Sequence, residues 1–298
     1  MGAAPRAGAA PRAGGALETR RFGLLAAAHA ALAAALLAAP GVAVNALFSG
    51  AALPQRTQAQ VLGRLLGSGL ALGAASSWAL RQAASAGELC AAAQHLELGL
   101  TGFSAVGLAL HAMYAPAAEA LPLAASAAVL VAMFAVPFRA YVEHAGPLRV
   151  GDVASRVVAA VPGHFRVQNA HAAAYALNTP ALVHGGLSYL FMPSATLFAG
   201  LGYISDRSSL FLWHAAVGTL AMLAPAATCS LKPAADAGRL GERVPRALNA
   251  GLLTAAGGHG AARAARRRRA GRADAAVDCG RVGRGGRGCR RGAFAGRK

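Results

Sequence analysis

The chain has 298 residues, 56% of them hydrophobic and only 13% charged, and carries a formal net charge of +18. Soluble domains of this size are roughly a quarter charged, so the composition excludes an ordinary water-soluble globule. The excess charge does not signal a nucleic-acid binder: Arg263–Lys298 holds twelve arginines and one lysine against Asp274 and Asp278, which supplies +11 of the total.

Residues 1–21 read as a disordered basic tail, with Arg6, Arg12, Arg20 and Arg21 against Glu18. The first apolar run, Phe22–Phe48, exceeds the about 20 residues that a bilayer core requires. It also exceeds the 7–15 residues of a cleavable signal's core, so it reads as an anchoring span. A signal peptide is the alternative, and the acid-free GAAPRAGAAPRAG also fits an organellar transit peptide.

Span two is Val61–Leu80. Within it Gly63-x-x-x-Gly67 and Gly69-x-x-x-Gly73 repeat small residues at one-turn spacing, which lets a neighbouring backbone approach closely. Span three, Leu89–Tyr114, carries Gln94, Glu97, Thr101, Ser104 and His111 on one helical face. An acid inside a span is a functional candidate by default. The sharp reading is therefore a proton or cation site at Glu97, with the others along its path. The bland one has Glu97 reaching the interface or pairing with Arg81 or Arg64.

Span four is Leu121–Tyr141, and 142–169 reads as a polar cytosolic linker. Spans five and six are Ala170–Gly202 and Leu210–Leu231. Arg246–Ala262, short and glycine-rich, is a weak seventh.

Leu80–Leu89 reads LRQAASAGEL, and Leu231–Leu240 reads LKPAADAGRL. At the same offset Gly67 falls opposite Gly218. With one residue of slip, Leu47-Phe48-Ser49-Gly50 meets Leu197-Phe198-Ala199-Gly200, and Leu96-x-x-Gly99-Leu100 meets Leu248-x-x-Gly251-Leu252. The expected fold is therefore all-α and polytopic: two tandem four-helix units in the same orientation. The first covers 22–141 and the second, incomplete, covers 170–262. The echo itself predicts a structural corner, a helix end turning at Gly87.

Arg139, Arg149, Arg156 and Arg166 follow span four, and by the positive-inside rule that segment and the N-terminus are cytosolic. The tail 263–298 breaks the pattern. It reads as a frame artefact of a GC-rich coding sequence, as a polybasic segment for anionic lipid, or as an RGG-like RNA arm, with only Phe294 to stack on bases.

Cys90, Cys229, Cys279 and Cys289 form neither a disulfide framework nor a zinc motif. The nine histidines show no metal-ligand spacing and read as solvated or interfacial. No nucleophile-elbow, P-loop or dinucleotide motif is present, so the sequence predicts no catalytic residue, cofactor or metal. Pro40, LFSG at 47–50, Arg64-x-x-Gly67, Ser77-Trp78, Ala83 and Glu97 resemble the four-span membrane proteins typified by tumour-suppressor-inducible protein eleven. The resemblance covers about 70 residues of the first unit; the second has Ala215 and Asn249 where that pattern places arginine and glutamate. It implies a four-helix membrane unit without established catalytic residues; a generic four-span bundle of the respiratory-accessory kind is the alternative.

The leading expectation is thus a non-catalytic membrane protein, structural or regulatory, whose partners are the bilayer and either a second copy or another membrane protein. A transporter or channel using Glu97 is the runner-up, and lipid or nucleic-acid binding through the tail is the third.

Overall fold

The computed structural model describes residues 13–48, 56–87, 91–115, 120–145, 150–191 and 207–258, and every regular element among them is a helix. The basic tail 263–298, three of the four cysteines and the LFAG corner at 197–200 lie outside the described residues.

Helix α1, Ala13–Ala38, begins within the segment expected to be disordered, because Ala, Leu and Glu around Arg20 and Arg21 are good helix formers. Span one is not one helix. The residue before a proline is driven out of the α region, and Ala39 sits at φ −132°, ψ 58°. Pro40 then opens a second helix, α2 (Pro40–Leu47), where its missing N–H costs nothing. Helix α3 spans Arg56–Ala86, α4 Ala91–Tyr114 and α5 Ala120–Ala145. The expected linker holds a further helix, α6 (Val150–His164), with apolar residues on one side. Asn169 then caps α7 (Ala170–Phe191), its side-chain oxygen accepting the Ala172 N–H at 2.9 Å. Helix α8 covers Arg207–Asp236, and α9 covers 243–258.

Four described helices are long and apolar enough to cross a membrane: Gly15–Ala38, Ala93–Tyr114, Ala120–His144 and Ser208–Asp236. The remaining predicted spans fall on α3, α7 and α9. The first two, of 31 and 22 residues, have the length but are diluted by polar side chains. In α3 the serines within the span turn inward, Ser68, Ser76 and Ser77 being buried, while Arg64 is exposed.

Helix α8 is the hub, packing against α3, α4 and α7, while α1 lies along α3 and α5 along α4. The membrane-length window of α8 is 72% buried, against 17% for α5, so α8 is core and α5 is periphery. One apolar cluster joins α1, α3, α4, α5, α8 and α9 through Phe22, Leu72, Leu100, Met133, Leu223 and Leu248. A second, at the far end, gathers Phe48, Leu62, Leu110, Phe211 and Trp213. Lipid tails are as apolar as leucine, so cohesion here comes from close packing more than from escape from water.

Candidate functional site

The polar face expected on span three lies on α4 and is turned toward α5. It does not form one path. Thr101 donates its hydroxyl to the Glu97 carbonyl at 2.7 Å and Ser104 to that of Leu100 at 2.9 Å, so both are spent on their own helix. Gln94 is half-buried. Farther along, Gly107 faces the Leu130 side chain, and Met133 is buried in the same cluster as α4's Leu100 and Phe103. Apolar packing therefore separates Glu97 from His111, about 21 Å apart along the helix.

Each end of the face has its own partners. His111 shares a 2.7 Å hydrogen bond between its Nε2 and the Ser126 hydroxyl of α5, and its Nδ1 lies 2.8 Å from the Gly107 carbonyl. Its ring meets Phe211 edge-on, with centroids 5.2 Å apart. At the other end Glu97 is 0% exposed, and neither carboxylate oxygen has a hydrogen-bond partner. It is fully enclosed, and among the described residues no arginine is within ion-pair distance of it, which corrects the expected pairing with Arg81 or Arg64. Its neighbour is His144, at the end of α5, whose Nδ1 is 3.5 Å from Glu97 Oε1. The other ring nitrogen, Nε2, is 3.5 Å from Oε1 of Glu18, in the first turns of α1.

Neither His144 nor Glu18 was singled out by the sequence for this site. Helix parity was the available signal: a chain going up in α4 and down in α5 returns His144 to the level of Glu97. The position opposite Glu97 at the one-residue slip, Asn249, is differently satisfied, accepting a 2.6 Å hydrogen bond from the Tyr175 hydroxyl.

The four glycines singled out in span two all sit at helix contacts, but against different neighbours. Gly63 and Gly67 face α1 and α2 through Leu36, Ala33, Pro40 and Val44. Gly69 faces Thr219 of α8. Gly73 leaves room for the ring of His29, whose Cδ2 is 2.8 Å from where a Cβ would stand. His29 is completely buried, with Nδ1 at 2.9 Å from the Leu25 carbonyl and 3.4 Å from the Ser77 hydroxyl. That overturns the expectation of a solvated or interfacial histidine here: closeness of α1 to α3 encloses the ring.

The two echoed decapeptides end their helices alike. Gly87 and Gly238 both adopt φ 68°. Gly238 completes a Schellman cap, its N–H on the Ala235 carbonyl at 3.1 Å and the Arg239 N–H on that of Ala234 at 2.8 Å. Between the corners lies a cleft of about 400 Å³, lined by Leu80 and Ala83 from one and Leu231 and Ala234 from the other.

The echoes differ where Arg81 and Ser85 become Lys232 and Asp236. Lys232 donates to the carbonyls of Gly163 at 3.1 Å and Arg166 at 2.5 Å and pairs with Asp236 at 2.7 Å. It thereby fastens the end of α6 to α8. Burial, with the Lys232 ammonium nearby, holds the His164 imidazole below the ordinary histidine range against a raising contribution from the Ala176 backbone. Among the described residues no group of three or more His, Cys, Asp or Glu side chains is placed to hold a metal.

Comparison with protein-family models, with curated proteins and with solved structures finds no match to this chain.

Proposed function

We propose that this is a non-catalytic membrane protein, structural or regulatory, made by fusing two like-oriented helical units whose third spans each cross to pack on the other unit. One reciprocal pair of contacts carries the reading. Gly99 of α4 backs onto Met222, Leu223 and Ala226 of α8, and Gly251 of α9 backs onto Leu72 and Ala75 of α3. Leu72 and Ala75 are the counterparts of Leu223 and Ala226 at the offset of the echoed corners. The same contact is thus made twice, by equivalent residues.

The hydroxyls of Thr101 and Ser104, bound to their own backbone, support packing over transport along α4. Leu24, Leu121, Val131 and Leu177, all exposed, supply apolar side chains for the surrounding lipid. The same assignment keeps the N-terminus and the two corners on the cytosolic side.

Two measurements test this. The cysteine pair Gly102→Cys with Met222→Cys, whose Cβ atoms would stand 3.9 Å apart, and the equivalent pair Thr254→Cys with Ala71→Cys are expected both to cross-link in native membranes; cross-linking in only one would remove the reciprocal architecture. Proteoliposomes are expected to show no proton or solute flux that Glu97→Gln abolishes, and such a flux would replace the structural reading with transport.

A further inference from the structure

We propose that Glu97, His144 and Glu18 form a proton-binding site that ties the beginning of α1 to the α4–α5 pair. The three groups come from three helices and meet at one end of the bundle. His144 lies between the carboxylates, with Nδ1 at 3.5 Å from Glu97 and Nε2 at 3.5 Å from Glu18.

The chemistry follows from counting hydrogens. An imidazolium has an N–H on both nitrogens and serves both carboxylates at once. A neutral imidazole has one, so one carboxylate then faces a ring nitrogen that carries no proton. Glu97 cannot turn to water, being 0% exposed, and a buried charge without a partner is costly. The proton that leaves His144 is therefore retained when it moves to Glu97 across the 3.5 Å gap, breaking one N–H bond and making one O–H bond. The site exchanges with its surroundings through His144 and Glu18, whose side chains are 25% and 14% exposed. It has no exit along α4, because Leu130 and Gly107 close the seam. Binding without passage distinguishes it from the transport pathway.

Other charged groups around the site, Arg21 apart, are engaged or set aside from it. On α5, Glu143 pairs with Arg139 at 2.5 Å. On α1, Arg21 lines the crevice that Glu18 and Glu143 share. On α3, the Arg81 side chain runs along Gly23. On α4, His95 interacts with His164 instead. From α8, the surface against α4 is uncharged at Met222, Leu223 and Ala226, and Lys232 is held by Asp236 and the α6 carbonyls. The counterpart Asn249 is already hydrogen-bonded, so the site is single.

Proton uptake by the full chain in nanodiscs, measured between about pH 5 and 8 where histidine charge changes, tests the proposal. Glu97→Gln and His144→Gln are each expected to move the pH of the uptake step, since each takes away the other's partner, and the double variant to remove the step. A step that neither single change moves, or one that survives the double change, would overturn the site. Should those variants not fold, two other measurements decide it. Histidine-labelled wild type is expected to show the His144 resonance moving together with the carboxyl C=O infrared band, and Glu18→Gln, at the rim, to shift both. Independent movement of the two signals would overturn it equally.

Discussion

Gly87 and Gly238 turn the chain at the same φ of 68°, and at neither does anything stand within 4 Å of where a Cβ would be. The requirement there is backbone conformation and not space. Alanine at either position is expected to cost about 1–2 kcal/mol, the left-handed penalty of an L-residue. Asparagine, which visits that region more readily, is expected to cost less. Thermal unfolding in detergent checks this; equal tolerance of Ala and Asn would refute it.

Gly99 and Gly251 pose the opposite problem. A Cβ on Gly99 would stand 3.0 Å from the Met222 carbonyl oxygen, and one on Gly251 3.2 Å from the Leu72 Cα. Backbone cannot swing aside as a side-chain tip can. Leucine at either glycine is expected to destabilise by about 1–3 kcal/mol or more through overpacking. Gly185 of α7, with open space around it, is the control and is expected to tolerate the change at lower cost.

Lys232 is the only described tie from a side-chain ammonium to the end of α6. Lys232→Ala frees the Gly163 and Arg166 carbonyls and leaves Asp236 without its ion-pair partner. Trypsin is expected to cut after Arg166 several-fold faster in the variant, read by mass spectrometry of timed digests. An unchanged rate would mean that the Asn169 side chain, bonded to the Ala235 carbonyl at 2.7 Å, and the Gln168 N–H, at 3.3 Å from Asp236, hold the segment without the lysine.

His164 gives a dependence on pH whose sign is fixed. Its folded value is lowered below 6.5, so as pH falls the unfolded chain takes a proton before the folded one does. Above the ordinary histidine range the group contributes nothing to the difference. Below it, stability is lost until the depressed folded value is passed. Melting temperature is expected to fall as pH drops from about 7 toward 5, with a shallower fall in His164→Gln. Parallel curves would exclude His164 as a source.

Helix content, the corner at Gly87 and the contact role of the four span-two glycines were legible because each rests on local pattern: apolar length, an αL position, small residues one turn apart. The break at Ala39 was legible too, since Pro40 stands in the sequence, but the run of apolar residues around it reads as continuous. Helix α6 was lost under the charges of 142–169, where successive turns still place valines together. The polar face of α4 follows from period alone, and a path along it was one of two readings that the period left open. Periodicity says which side chains point the same way; whether a hydroxyl bonds forward to a ligand or back to its own carbonyl depends on what the facing helix offers. Glu97's actual neighbours come from distant helices, and no spacing along the chain encodes them.

Because α4 leans on α8 and α9 returns to α3, the order of synthesis has a price. When the first 145 residues have left the ribosome, Gly99 still lacks the surface it was shaped for, and that surface is made only some eighty residues later. The nascent bundle must wait in the bilayer with its seam unfilled, so any factor that shields half-built membrane helices would find its client in the first half of this chain.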